Sequence, residues 1–430
     1  MKNLICLILL FSVSALYAQE SNLKDKALEE FKQEHYNEAI NLMEEALKDS
    51  PDDATIYYYL GFFNHYRAYD SRPLKGYDLS YSNKIFKYLD KAIELNPGFG
   101  NAKYFYGAEC SGNAFAAMQN YDLGKIKYYY DLAYKKGAYP NWLLEFGRNI
   151  LSSCDKESIL FTGGNADFDV CLYLQLFENF RTDITLIPIG NIDRPWYVKF
   201  LKDGLKGGVR KISINLTDDQ IFDIHPFKWD TTTVIIPISQ ELQEKYALNG
   251  NYKMQWALEP DLFSERNHSK IEGEKIRKRT YLSPQRAILL EIVEDNFQSR
   301  PIYFSNATDP FFYGGLDLFF QNCGLVSELL PFNTEQTEYG YNYQKIERLL
   351  QKDNLKDYYK IKETDIPRIS GIVFGYHNSI LILARYYSRN NKSKLKDLEK
   401  LFMESLCVGY KQDYEKLYSN QLEKITNEER

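Results

Sequence analysis

Residues 158–189 read SILFTGGNADFDVCLYLQLFENFRTDITLIPI, and this stretch decides the fold of the central region. Ser158–Thr162 and Asp183–Ile189 are short apolar runs of the kind that form buried strands. Phe168–Phe180 between them is apolar on nearly every side, as a buried crossover helix is. A strand, a helix and a strand in this order form a βαβ unit with parallel strands. The stretch therefore predicts an α/β domain with a parallel, Rossmann-like sheet.

Three further segments are predicted to extend this domain: a strand over Thr232–Ile238, a helix over Pro284–Phe297 and a strand over Pro301–Ser305. Pro237 places the end of the first strand at a sheet edge, because proline cannot donate to a ladder. Ser283 stands where an N-cap belongs, with a proline directly after it. Residues 239–280 are polar and mixed, and we expect a long excursion there. The predicted domain spans residues 151–335.

Residues 19–150 carry helical repeats. In the first unit Ala39 and Ala46 lie on one helical face, where small side chains let a neighbouring helix approach, and Pro51 ends the helix. Ala92 and Pro97 repeat the pattern. A third unit, up to residue 137, is degraded. The spacing resembles the tetratricopeptide repeat, a helix pair of about 34 residues that buries its apolar face only by stacking. The resemblance implies a protein-binding surface, with plain structural support as the alternative.

The two ends of the chain predict a C-terminal helical region and the cellular compartment of the protein. Residues 336–430 are predicted to be helical, with a helix pair over Asn378–Tyr387 and Leu395–Cys407. At the other end, Lys2 precedes a short apolar run and small residues lead to Ala18, which is typical of a signal peptide over residues 1–18. Cleavage after Ala18 would make the protein periplasmic or secreted. No later apolar run reaches the length of a membrane span, so an integral membrane protein is not expected.

Charge and ligand spacing exclude several functions. The formal net charge of −6 disfavours nucleic acid as a partner. Cysteines and histidines show no paired spacing, so the sequence predicts no metal and no cofactor. The cysteines beyond the leader are predicted to be buried thiols with at most one bridge: Cys110, Cys154, Cys171, Cys323 and Cys407.

Polar loops follow the three predicted parallel strands. Ligands of open parallel sheets bind beyond the carboxyl ends of the strands, where these loops would converge. The predicted ligand-binding residues are Asn165, Asp167, Asp193, Arg194, Trp196 and Asn306. The structural alternative is that Asp167 caps the crossover helix, Arg194 pairs with an acid and Trp196 packs under its loop. No residue is predicted to be catalytic.

Two short patterns in the first loop suggest chemistry. Gly163 and Gly164 before a helix could admit a phosphate at the helix N-terminus, although Asp167 would repel it. Asp167 and Asp169 form a D-x-D pattern that could share a divalent cation if the loop were extended. At a helix start the two side chains would diverge instead.

Several motifs resemble one family: ILFTGGNAD at 159–167, YLQ at 173–175, RTD at 181–183, PWY at 195–197 and RPIYF at 300–304. Together they resemble the soluble C-terminal region of a bacterial multi-pass membrane family related to protein O-mannosyltransferases, over roughly residues 145–335. Asn165 stands where that family has its first turn carboxylate. The family's transferase chemistry belongs to membrane helices, so the resemblance implies the α/β module and the repeats without the enzyme.

These observations predict an α/β central domain flanked by all-α tetratricopeptide-like repeats. The predicted function is an exported adaptor that holds a protein partner, or a glycan, through the repeats and the α/β crevice. One alternative is an enzyme acting on a saccharide or sugar nucleotide, with Asp167 as acid or metal ligand. The other is a structural component of the cell envelope.

Overall fold

The structure is a computed structural model that describes residues 23–70, 78–99, 101–265, 275–278, 281–335, 337–361, 366–401 and 420–425. The predicted signal peptide and Cys407 lie outside the described residues. The chain divides into two compact units. The first contains residues up to 117 together with 124–140, and the second contains 118–123 and everything from 141 onward.

Helices build the first unit: α1 (residues 23–32), α2 (Tyr36–Asp49), α3 (Ala54–Asp70), α4 (Ser82–Leu95), α5 (Ala102–Gln119) and α6 (Leu123–Lys135). The small repeat residues Ala39, Ala46 and Ala92 are buried, as the repeat pattern predicts. Gly61 lies against α4: a Cβ built there would come within 2.5 Å of Leu89 Cδ2. Small residues at these seams let the helices pack closely, and this explains why the helix pairs stack.

The second unit contains, in chain order, α7 (Asn141–Ser153), β1 (Ile159–Thr162), α8 (Val170–Glu178), β2 (Thr185–Pro188), α9 (Pro195–Asp203), α10 (Asp218–Phe222), β3 (Phe227–Lys228), β4 (Thr232–Pro237), α11 (Gln240–Lys245), β5 (Lys253–Leu258), β6 (Leu262–Glu265), β7 (Lys275–Lys278), β8 (Tyr281–Leu282), α12 (Pro284–Asn296), β9 (Ile302–Ser305), β10 (Phe320–Asn322), β11 (Val326–Leu329), α13 (Tyr343–Leu349), α14 (Ile366–Asn390) and α15 (Lys392–Leu401). A further short helix covers residues 420–425.

A five-stranded mixed sheet in the order β10-β11-β9-β1-β2 forms the core of this unit. Phe161 of β1 lies opposite Ile187 of β2 on one side and Phe304 of β9 on the other, and both pairings are parallel. β11 runs antiparallel to β9, and β10 antiparallel to β11. The predicted parallel pairing therefore holds for β9, β1 and β2, whereas a sheet that is parallel throughout was a wrong prediction. β1, β2 and β9 are buried along their whole length, which explains their continuous apolar sequences.

Three local predictions hold in outline, and the structure adds detail to each. The strand predicted over Thr232–Ile238 forms as β4, but it pairs with β5 in a two-stranded ribbon outside the main sheet. Within the segment 239–280, expected to be a long excursion, the described residues form α11, β5, β6 and β7. Ser283 occupies the N-cap of α12, yet its hydroxyl makes no capping hydrogen bond. The strands were missed because the buried positions of β5 alternate with lysine and glutamine, which make its composition polar.

Among the described residues from 343 onward, α13, α14 and α15 lie in the region predicted to be helical. α14 covers the first helix of the expected pair, and α15 covers its second helix as far as Leu401, with Asn391 between them. Within the described ranges, no helix combines the length and the apolar character that crossing a membrane requires.

Candidate functional site

The order of the parallel strands brings three loops to one edge of the sheet, which we call the carboxyl edge. β1 has β2 on one side and β9 on the other, so the loops after Thr162, Pro188 and Ser305 leave the sheet side by side. The loops after β1 and β9 touch: a Cβ built on Gly163 would come within 2.1 Å of the Ala307 carbonyl oxygen. Only glycine can be accommodated this close to the Ala307 carbonyl, so the two loops are in direct contact at this point.

Asp167 fastens the first loop from inside. Its side chain is fully buried, and its carboxylate accepts the backbone N–H groups of Gly163 at 2.8 Å, Gly164 at 2.9 Å and Phe168 at 2.9 Å. The Ser305 hydroxyl, at the end of β9, also hydrogen-bonds to it. Burial raises the pKa of the Asp167 carboxyl, and these hydrogen bonds oppose that rise. The contacts are those of a residue that closes a turn and joins β1 to β9.

This geometry argues against both the phosphate site and the shared cation site suggested for the loop. The N–H groups of Gly163 and Gly164, which a phosphate would need, are already bonded to Asp167. Asp167 and Asp169 stand on one π-helical turn over Asn165–Asp169, and both are buried. A helical turn directs residues two apart to different sides, so the D-x-D pattern does not present two carboxylates to one ion. Among the described residues, the structure contains no cluster of metal-ligating side chains.

The second loop carries a carboxylate with one oxygen that accepts no hydrogen bond from a described residue. Asp193 Oδ2 accepts the Gln285 side-chain amide at 2.8 Å, which links the loop to the first turn of α12. Asp193 Oδ1 is buried, has no hydrogen-bond partner among the described residues, and lies 4.0 Å from Arg194 Nε. Burial raises the pKa of this carboxyl, and Arg194 opposes the effect. Trp196 is partly exposed in the first turn of α9, with its ring edge-on to Tyr197.

The two predicted asparagines lie at the surface of the same edge. Asn165 is exposed. Asn306 is exposed too, but its amide donates to the Gly324 carbonyl at 2.5 Å and its backbone N–H bonds to Leu325 at 3.0 Å. Asn306 therefore holds the turn between β10 and β11 against the end of β9. Of the six predicted residues, Asn165, Asp193, Arg194 and Trp196 keep side-chain surface for a ligand, whereas Asp167 and Asn306 have structural contacts.

The opposite, amino edge of the sheet holds most of the motifs that resemble the transferase-related family. The Arg181 guanidinium makes a two-pronged pair with Asp183, at 2.9 Å for both bonds. It also donates to the carbonyls of Leu151, Cys154 and Asp155 at the end of α7, at 2.7, 2.9 and 2.8 Å. Arg181 thereby caps a helix and anchors the entry to β2, which is a structural role.

Two other motif residues serve the same edge. Gln175 of α8 donates its amide to the carbonyls of Arg181 and Ile184, both at 2.8 Å. Arg300, just before β9, donates to the Ser158 carbonyl and the Thr185 hydroxyl, both at 2.9 Å. These side chains satisfy backbone groups where the strands begin. At this edge the motif residues therefore support the sheet, whereas the motifs at 159–167 and 195–197 supply loops of the carboxyl edge.

In the first unit, aromatic side chains cross three helices in one continuous row. Phe31 of α1, Phe62 and Tyr66 of α3 and Phe105 of α5 form this aromatic strip. Ring centroids are 4.9 Å apart for Phe31 and Phe62, 4.8 Å for Phe62 and Tyr66, and 4.7 Å for Phe62 and Phe105. Phe31 and Phe62 are half-buried, and Tyr66 is 37% exposed. α1, α3 and α5 are the first helices of three successive pairs, so the strip follows the repeat stack.

Sequence reasoning missed several of these residues. Gln285, Ser305 and the aromatic strip were not among the predicted site residues. A signal was present for part of the strip, because Tyr58, Phe62 and Tyr66 are spaced four residues apart and such residues share a helix face. The partners of Asp193 and Asp167 lie far away in the chain, and no local pattern indicates them.

Comparison with known proteins gives two partial similarities. Residues 143–275 match the family described as TMEM260-associated domain 2, and residues 27–65 match the TPR repeat. The first match runs from α7 to the start of β7, and the second covers α2 with parts of α1 and α3. No curated protein and no solved structure matches the chain significantly. The resemblance to the family related to protein O-mannosyltransferases is not confirmed by these matches and stays a prediction.

Proposed function

We propose that this protein is an exported adaptor, periplasmic or secreted, that holds a segment of a partner protein against the aromatic strip. The observation that carries the proposal is the continuous row of rings across α1, α3 and α5, with Tyr66 37% exposed at its centre. Tetratricopeptide repeats serve as protein-binding surfaces, and the match at residues 27–65 supports such a role here. Export rests on the predicted leader at residues 1–18.

The chemistry of the strip indicates the kind of segment it would hold. Aromatic rings supply large apolar area with little loss of side-chain entropy, and they dominate the energetics of interfaces. Phe62 lies between the rings of Phe31 and the buried Phe105, so its position in the surface is preformed. We therefore expect a partner segment that inserts apolar or aromatic side chains and buries the Tyr66 ring.

Site-specific photo-crosslinking in the producing cell tests this function. A photoreactive phenylalanine analogue at position 66 should form a covalent adduct with a partner, and mass spectrometry should map it to an apolar segment. Tyr128 provides the matched control, because it is 59% exposed, lies in the same unit and is not part of the strip. With the mapped segment as a peptide, Tyr66→Ala should weaken binding at least about tenfold and Tyr128→Ala should not. Equal crosslinking at both positions would count against the adaptor role.

A second candidate is capture of a polyhydroxyl ligand, such as a glycan, at the carboxyl edge. Two features of the loop after β2 favour it: Asp193 Oδ1 accepts no hydrogen bond from a described residue, and Trp196, three residues further along the chain, is partly exposed. In this proposal a sugar hydroxyl donates to the exposed part of the Asp193 carboxylate, and the apolar face of the sugar packs on the indole. An enzyme using Asp167 as acid or metal ligand is a weaker proposal, since that carboxylate already accepts three backbone N–H groups.

Titration with a panel of oligosaccharides, followed by tryptophan fluorescence, tests this candidate. Saturable binding should be lost in Asp193→Asn and in Trp196→Ala and kept in Asn306→Ala, whose side chain bonds within the protein. Binding that survives the first two changes would exclude this site. If neither a glycan nor a protein segment binds, a structural envelope role becomes the better proposal.

A further inference from the structure

The two-stranded ribbon formed by β4 and β5 has one open edge. Ile238 N–H bonds to the Tyr252 carbonyl at 3.2 Å, which shows that the even-numbered residues of β4 make the hydrogen bonds to β5. In an antiparallel ladder these alternate with residues whose N–H and C=O point away from the partner strand. Thr233 and Ile235 therefore direct their backbone groups outward. In the part of the chain that the structure describes, no strand pairs with this side of β4.

One end of the edge is already covered. The Gln298 side-chain amide accepts Ser239 N–H and donates to the Pro237 carbonyl, both at 2.8 Å. These are the outward groups that come next along the strand, so Gln298 takes the place of a neighbouring strand there. What remains is a short window centred on Val234, with Thr233 and Ile235 as its two bonding residues. A segment that fills this window must be extended and must match two outward residues.

The window is also uncharged and apolar. Ile235 is 47% exposed on the solvent face of the ribbon, where its neighbours on β5 are Lys253, Gln255 and Ala257. Natural sheets protect such edges with charges, prolines or covering segments. β4 ends on Pro237, but the window Thr233–Ile235 contains neither a charge nor a proline. An exposed β-branched strand without a charge is a template for another strand.

We propose that this edge pairs with the same edge of a second copy of the chain. An antiparallel arrangement with Val234 at the two-fold axis places Thr233 opposite Ile235 of the other copy, and the reverse, so all four outward groups of each window are bonded. The same register brings the two Ile235 side chains within diagonal reach and covers both. The two ribbons become one four-stranded sheet, which is more stable than a two-stranded ribbon alone. This interface is independent of the aromatic strip.

Disulfide trapping tests the register. Val234→Cys places two thiols directly opposite across the axis, whereas Thr232→Cys, on the same face of β4, separates them by four residues, roughly 13 Å. Under mild oxidation the first variant should give a covalent dimer several times more abundant than the second. The wild-type chain treated in the same way supplies the background from the native cysteines. Equal yields from the two variants would overturn the proposed pairing.

Sedimentation velocity over a wide concentration range tests whether the dimer forms in solution. The wild-type chain should dimerise as concentration rises, and Ile235→Lys should weaken the dimer at least tenfold by bringing two charges together. Gln255→Lys adds the same charge on the same face, one strand away from the edge, and should stay within twofold of wild type. Unchanged tryptophan emission would show that the ribbon is folded in each variant. A chain that stays monomeric, or an Ile235→Lys variant that dimerises normally, would refute the proposal. A monomeric chain whose edge is occupied by a strand of another protein would refute it as well.

Discussion

Arg181 is the side chain whose removal the structure predicts to be most disruptive on the amino edge of the sheet. All five of its N–H donors are used: two on the Asp183 carboxylate and three on the carbonyls of Leu151, Cys154 and Asp155. Breaking a largely buried pair costs about 3–5 kcal/mol. The guanidinium is still about a fifth exposed, and water can reach the freed carbonyls in part. We therefore expect Arg181→Ala to lower the free energy of unfolding by about 3 kcal/mol.

For a unit of this size, that loss corresponds to a fall in Tm of about 6–10 °C, measured by circular dichroism or tryptophan fluorescence. Arg181→Lys keeps the charge near the end of α7 but cannot form the two-pronged pair, so it should recover less than half of the loss. The left-handed backbone at Arg181, with φ 50°, is unfavourable for all of these residues and cancels in the comparison. A loss below about 1 kcal/mol for Arg181→Ala, or a lysine variant as stable as wild type, would refute the structural role assigned to this motif.

Three further outcomes are expected. Gly163→Ala should destabilise the second unit by about 2–4 kcal/mol in urea unfolding, because its Cβ would overlap the Ala307 carbonyl, whereas Gly164→Ala, with nothing within 4 Å, should change it by less than about 1 kcal/mol. Gln175→Leu should cost about 1–3 kcal/mol in the same assay, since it removes the side-chain donor of the buried Ile184 carbonyl, while the Arg181 carbonyl keeps the Ile184 N–H. The Arg181 guanidinium lowers the pKa of Asp183 to about 2, so the pair stabilises the fold above pH 4 and this contribution, about 1 kcal/mol after allowing for solvent, disappears as pH falls from about 4 to 2. Asp183→Asn should lack that acid-dependent part, and an unchanged pH profile in this variant would contradict the assignment.

The positions of the motifs change what the family resemblance means. Arg181, Asp183, Gln175 and Arg300 all bond to backbone or to each other where the parallel strands begin. The candidate ligand groups lie at the other edge, where the strands end. These amino-edge hydrogen bonds stabilise the sheet independently of any ligand at the carboxyl edge. Sequence similarity through these amino-edge residues therefore predicts the fold of the module, whereas Asn165, Asp167 and Trp196 of the other two motifs lie at the carboxyl edge.

The candidate site was predictable in outline and not in detail. Parallel strands place their carboxyl ends together, so the convergence of the three loops followed from the βαβ pattern and is confirmed by the pairing of Phe161 with Ile187. The roles within the site were not predictable. Asp167 was a candidate ligand by its residue type, but its carboxylate is taken by the N–H groups of its own loop. One carboxylate oxygen of Asp193 accepts a hydrogen bond from Gln285, which is 92 residues away in the sequence.

The sequence alone determined the local architecture. Helical periodicity with small residues at the seams defined the repeats, and two apolar runs around a buried helix defined the parallel core, because periodicity reports which faces of a segment avoid water. The tertiary structure decided which segments became neighbours. The strand at Thr232–Pro237 could have joined the main sheet, yet it pairs with β5, and β10 and β11 turned a parallel sheet into a mixed one. Backbone hydrogen bonds between strands are the same for every sequence, so the choice of partner depends on long-range packing that no local pattern records.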